Sequence, residues 1–312
     1  MAALTRSRPS LSLISLALLA SCRPMAEPPT VGAAAAAAAA GQTPSLAAGN
    51  HAFDGPLQRP ADARLVWHDE FDGRALDLSK WEYDTEFNKQ GWFNKERQYY
   101  SAGREANSRV SDGILTIEAH RERLDPGKFP DWGGQQYTSA RLLSRGSGWT
   151  YGFYEIRARL PCARGTWPAI WMLPVDMEKW PDDGEIDIME HVGSEPNVIY
   201  ATLHTRLFNH SINTQRGANK RLPTSCTAFH RYQLDWRPDV ITIGFDDRAM
   251  MRIRNDQPGG KGAWPFDVPY LMILNLAIGG DWAAAKGIDD DALPQRMEVD
   301  YVRVWQFEPV SR

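Results

Sequence analysis

At 312 residues, with 43% hydrophobic and 24% charged side chains, the chain can form one large domain or two average ones and is too apolar for disorder throughout. Lys and Arg number 35 against 39 Asp and Glu, a formal charge of −4 that leaves no electrostatic footprint for nucleic acid. Twelve Trp, 10 Tyr and 11 Phe stand beside 25 Gly and 21 Pro. That mixture predicts short strands joined by tight loops, with flat rings available to line a groove.

Residues 1–21 read as an export signal of the lipoprotein type. Arg6 and Arg8 precede an apolar stretch from Leu11 to Ala20 that is too short for a permanent membrane helix. It ends in Leu19-Ala20-Ser21-Cys22, which resembles a bacterial lipobox, where the cut falls before the cysteine and Cys22 takes the lipid. Ordinary cleavage near Ala20-Ser21, with Cys22 incidental, is the alternative. Either way the mature protein is exported, and the lipid would anchor it to a membrane of the bacterial envelope. Loss of the two arginines takes the charge from −4 to −6. Residues 22–61 hold Pro24, Pro28, Pro29 and eight alanines from Ala33 to Ala40, too few for a stable helix in water. They read as a tether.

Residues 62–312 form the expected folded part. Its pattern is period two: Ile114–Glu118, Phe153–Leu160, Val198–Leu203, Tyr232–Trp236, Val240–Phe245, Tyr270–Ala277 and Glu298–Gln306 all alternate or run apolar as strands do. A three-turn amphipathic helix is absent, and Asp77–Trp81 offers one turn at most. Many short strands at this spacing predict an all-β sandwich or barrel. Cys162 and Cys226 are candidates for a disulfide in an exported protein, with two free thiols as the alternative.

The chemistry concentrates in Gly184-Glu-Ile-Asp-Ile-Met-Glu-His191. In a regular strand Glu185 and Asp187 share one face while Ile186 and Ile188 enter the core. Glu190 has the wrong parity for that face. A β-bulge at Ile188-Met189 would correct it and set three carboxylates side by side, where each raises the others' pKa. Paired carboxyls of unequal pKa are what retaining glycoside hydrolysis uses, one as nucleophile and one as proton donor. The residues alone leave two other readings open: a charged outer face, or a metal site from Asp187, Glu190 and His191.

Glu185-Ile-Asp-Ile-Met-Glu190 resembles the active-site motif of family 16 glycoside hydrolases in its laminarinase form. Further matches follow in chain order. They are His68–Asp72, Asn94–Tyr100, Gly165–Pro174, Leu203–Thr205, Phe229–Tyr232, Asn275–Trp282 and Val299–Trp305, so the likeness spans roughly residues 64–307. It implies a β-jelly-roll of two curved antiparallel sheets with a cleft on the concave face. Glu185 would be the nucleophile, Glu190 the general acid/base and Asp187 the group that orders their protons.

Around the acids, Trp167 and Trp171 stand four apart, which on a strand means one face, and Trp180 and Trp282 sit in loop contexts that suggest rim platforms for sugar. Trp67, Trp81, Trp236 and Trp305 have apolar neighbours and are assigned to the core. The resemblance adds Asn94, Glu96, Arg141, His204 and Gln295 as polar contacts to substrate. It also implies a structural calcium at Glu70, Gly113 and Asp300, oxygen ligands of the kind calcium prefers, with no cofactor needed for catalysis. The expected protein is a monomeric endo-β-1,3-glucanase acting on glucans such as laminarin. Mixed-linkage β-1,3-1,4-glucan, another family 16 polysaccharide, or glycan capture without cleavage by a surface lipoprotein are the alternatives.

Overall fold

The computed structural model describes residues 51–307, so the export signal, Cys22 and most of the tether lie outside the described residues. The chain forms the expected all-β sandwich. Among the described residues the single α-helix, Gly280–Ala283, has four residues, and no helix is long and apolar enough to cross a membrane.

Alternation drives the layering. In the Gly152–Arg159 strand, Tyr154, Ile156 and Ala158 are fully buried, while Glu155, Arg157 and Arg159 take the other face. There Tyr301 donates to Glu155, Arg157 pairs with Asp300, and Arg159 pairs with Glu298. One sheet has eleven strands and the other seven. The smaller sheet runs in the order Arg216–Arg221, Val198–His204, Glu185–Glu190, Thr166–Pro174, Tyr270–Ile278, Arg141–Ser144 and Trp81–Tyr83. Its inner face supplies Ile170, Met172, Ile186, Ile188, Met189, Leu274 and Leu276 to one core, against Ile117, Ile156, Leu234, Ile243 and Val302 of the larger sheet. Each such aliphatic side chain contributes roughly 1.5–3 kcal/mol on burial. Neighbouring strands are antiparallel except Gln98–Tyr100 with Tyr137–Ser139.

Of the four tryptophans assigned to the core, Trp81 and Trp236 are fully buried. Trp67 is half-buried and packs edge-on against Trp81 at 5.4 Å. Trp305 belongs to a separate cluster with Leu57, Phe153 and Ala249, and Arg59 covers its ring.

The folded part begins earlier than expected. Ala52–Pro56, inside the expected tether, is a strand on the edge of the larger sheet, paired with Arg248–Arg254, and Leu57 is buried behind it. Its Gly55-Pro56 reads locally as linker, yet an edge position tolerates proline because one side of the strand needs no ladder. Asp54 pairs with Lys220 and Arg248 of the neighbouring strands.

Cys162 and Cys226 are joined in a disulfide that closes 64 residues, with Cα atoms 5.8 Å apart. Constraining the unfolded chain over that length contributes about 2–4 kcal/mol. Cys162→Ser and Cys226→Ser should therefore each lower the unfolding free energy in urea by a similar amount, and thiol reduction of the wild type should do the same. Unchanged midpoints would show that the bridge adds no stability.

Candidate active site

The strand register answers the parity problem. Across to Val198–His204, Glu185 faces His204, Asp187 faces Thr202 and Glu190 faces Tyr200. Three residues advance on the acid strand between Asp187 and Glu190 while two advance on its neighbour. On the other side Asp187 lies opposite Trp171 and Met189 opposite Ile170, again with one residue extra. Ile188 and Met189 are consequently both buried in the core, and Glu185, Asp187 and Glu190 all emerge on the outer, concave face of the smaller sheet. Arg141, Asn275, Ala169, Glu190 and Tyr200 stand in one row across five strands.

Each outer acid receives an indole. Trp180 Nε1 donates to Glu185 Oε2 at 2.6 Å, and Trp167 Nε1 donates to Glu190 Oε1 at 3.1 Å. His204 Nε2 lies 3.3 Å from Asp187 Oδ2, and burial lowers the His204 pKa, so this ring is neutral near pH 7. Burial pushes Asp187 up to about 7. Burial first, then the Asp187 charge, pushes Glu185 up to about 8. Burial and the charges of Asp187 and Glu185 push Glu190 well above the carboxylate range, with Glu96 adding to the effect. Three carboxylates this close cannot all ionise at neutral pH. Glu190 keeps its proton, and the short indole bond to Glu185 works against the rise there without cancelling it.

The remaining candidates divide. Glu96 is half-buried beside the acids; Gln98 donates to it at 2.8 Å, Asn94 and Tyr100 also bond to it, and burial raises its pKa. Asn94 itself is exposed in a left-handed conformation (φ 56°), a conformation Asn tolerates better than most residues. Arg141 is pinned between the rings of Trp92 and Trp171 with Nε 2.8 Å from Asp84. Trp171 donates to Asn275 at 2.7 Å.

Two expectations are corrected. Trp282 is not a rim platform: Gly279 and Gly280, both at positive φ, turn the chain inward and leave its ring 7% exposed. Gln295 lies on the larger sheet opposite Ala119, and its amide donates to the Ala292 carbonyl, so it does not face the acids.

Residues not expected from sequence join the site through the register and the loops. Asn275 accepts from Trp171 and donates to Tyr100, and its place inside a matched motif was a usable signal. Tyr200 was hidden in an apolar run. His210 packs on Trp180 at 4.9 Å, brought there by a loop that Asn209 braces against Thr205, Arg206 and Ser211; no local pattern announced it.

As for metals, His191 has opposite parity to Glu190 and cannot share an ion with it. Its Nε2 accepts from the Asn197 N–H and lies 3.6 Å from Cys162 Sγ. Donor atoms of Glu185, Asp187 and His204 approach within 4.8 Å of one another, but Trp180 already holds Glu185 and His204 already faces Asp187. At the expected calcium position, register brings Asp300 near both the 113 turn and Glu70. The Asp300 carboxylate is paired with Arg157, and that of Glu70 accepts from Nε and Nη2 of Arg303.

A carboxyl whose folded pKa exceeds its unfolded value makes folding less favourable as pH rises through the window between them. Glu190→Gln removes that penalty. The variant should melt above the wild type at pH 7–8, with the gap closing below about pH 4.5. A pH-independent offset would contradict the crowding.

The chain is similar to proteins already known. A beta-glucanase of Rhodothermus marinus is 48% identical over 253 residues, covering 78% of this chain and 85% of that protein. A non-specific endo-β-1,3(4)-glucanase of known structure superposes with a TM-score of 0.80 at 49% identity, covering 83% of this chain and 97% of its own. The laminarinase from R. marinus does so at 0.73 and 46% identity, covering 79% and 98%. Residues 68–303, which hold all three acids and both indole donors, match the model of glycosyl hydrolases family 16, and the chain belongs to that family.

Proposed function

We propose that the protein is an endo-acting glycosidase that cleaves β-1,3 bonds in glucans such as laminarin with retention of configuration. The observation that carries this reading is the one-residue register break that sets a proton-holding Glu190 on the same face as Glu185. Glu185 attacks the anomeric carbon while Glu190 gives its proton to the leaving oxygen, and a glycosyl ester forms on Glu185. Glu190, now an anion steadied by the Trp167 N–H, takes a proton from water. The water oxygen displaces Glu185 from the anomeric carbon, and two inversions restore the β configuration. Asp187, itself raised by burial to about 7, is the group to which Glu185 passes its proton when sugar arrives, leaving Glu185 ionised for attack.

The substrate class rests on the β-glucan activities named for the similar proteins and on the groove itself. Trp167, Trp171 and Trp180 offer apolar faces for sugar rings. Arg141 is committed to Asp84, which speaks against a sulfated substrate. Likeness to the non-specific glucanase supports a second reading, in which β-1,3-1,4-glucan is also cut. Glycan capture alone gains nothing from three crowded carboxylates.

Export belongs to the same proposal: the Cys162–Cys226 bond is of the kind that persists outside a reducing cytoplasm, and Cys22 would carry the lipid. Calcium is proposed at the main-chain oxygens of Glu70 and Gly113 with the Asp300 carboxylate, which requires Arg157 to leave Asp300. Millimolar calcium should then raise the melting temperature of chelator-treated wild type and not of Asp300→Ala. No shift in the wild type would end that proposal.

Incubation with laminarin should release new reducing ends, the first product being the β anomer by proton NMR. Glu185→Ala should abolish turnover, and azide should restore it with the α-glycosyl azide as product. Substantial unassisted activity in Glu185→Ala would contradict the nucleophile assignment. Glu190→Gln should slow substrates with poor leaving groups by about 10²–10⁴-fold and activated aryl glycosides far less.

A further inference from the structure

Trp282 packs against the very indole that serves the proton donor. Its ring meets Trp167 edge-on at 5.3 Å and 79°, and meets Tyr200 at 4.8 Å and 83°. Tyr200 faces Glu190 across the strand pair, and Trp167 donates to Glu190. The wedge thus touches both flanks of one carboxyl without reaching it. These rings, with Val192, Ala283 and Val198, form a small apolar cluster separate from the main core. The backbone is shaped for this contact: a Cβ at Gly280 would lie 3.3 Å from Trp167 Cζ3 and 3.0 Å from the Asn94 carbonyl oxygen. At 7% exposure the Trp282 ring has no open face for a sugar, and its own Nε1 is buried without a hydrogen-bond partner. A buried donor left unpaired in this way is unfavourable, so it is shape, not hydrogen bonding, that places the ring here.

We propose that Trp282 is a positioning residue for the acid/base, holding the Trp167 indole at the angle from which its N–H reaches Glu190. The proposal rests on the reading of Glu190 as proton donor. The Trp167 N–H favours the Glu190 anion, the form needed when Glu190 activates water in the second step. Without the wedge, Trp167 can rotate away, and Glu190 loses an N–H donor that opposes the effect of its burial. The other ionisable groups facing Glu190 are Asp187 and Glu185 on its own strand, Glu96 from the loop beside Gly280, and Tyr200 from the neighbouring strand. All four remain in a Trp282 variant, so a change in Glu190 reports the Trp167 bond.

The test is a ¹³C-carboxyl NMR titration of Glu190 in the intact protein, with kcat/KM against pH measured beside it. In Trp282→Leu the Glu190 titration should move up by about 0.5–1 unit. Trp167→Phe should move it equally, and the double variant no further. Trp282→Phe, which keeps a ring in the wedge and guards against misfolding, should give a smaller shift in the same direction. The alkaline limb of kcat/KM should rise with the titration while KM for laminari-oligosaccharides changes less than about twofold. An unmoved titration with a raised KM would make Trp282 a sugar platform and overturn the proposal, as would additive shifts in the double variant. The NMR readout needs no turnover, so a wild type that released no reducing ends would sink the functional reading alone.

Discussion

One extra residue in a strand decides which side of a sheet a carboxyl occupies. A period-two backbone carries Glu185 and Asp187 outward and would carry Glu190 inward, among Ile186 and the aliphatic side chains of the opposite sheet. With Ile188 inserted out of register, Ile188 and Met189 both turn into the core and Glu190 turns out. The aliphatic burial of those two neighbours holds the bulge in place. Packing on one face of the sheet thereby fixes the chemistry on the other.

The same arrangement is electrostatically unfavourable, and the surroundings make it usable by treating the two outer acids differently. Glu185 has an indole donor at 2.6 Å and a neutral histidine beside its partner Asp187. Glu190 has an indole donor at 3.1 Å and faces the charges of Asp187, Glu185 and Glu96. Burial raises the pKa of both acids, but Glu190 faces the more crowded set of charges, so Glu185 is the first of the two to give up its proton. Unequal environments for like groups are how one site performs attack and protonation together. Stability is given up for this, as active sites commonly require.

Strands were legible because both faces of this sandwich obey alternation; six of the seven expected segments lie within observed strands, and Phe153–Leu160 overruns its strand by one residue. The acid strand was legible for the same reason, since Glu190 broke a pattern that its neighbours kept. Contacts set by turns were not legible. Gly279-Gly280 reads as a loop that exposes Trp282, whereas two positive-φ residues fold that loop inward beneath Trp167. Ala52–Pro56 reads as linker because an edge strand needs only half a ladder. Gln295 follows Pro294 in a segment with no local sign of which sheet it joins. Asn275 and His210 reach the tryptophans around the acids from distant chain positions, through pairing and a braced loop that single-sequence patterns do not encode.

The most direct measurement is a neutron crystal structure near pH 6. The carboxyls of Glu185 and Glu190 should lie on the same side of their strand, about 5–5.5 Å apart as retaining chemistry requires, with a deuteron on Glu190 and none on the Glu185 oxygen that accepts from Trp180. Glu190 turned toward the core beside Met189, or three carboxylates all bare of deuterons, would contradict that arrangement.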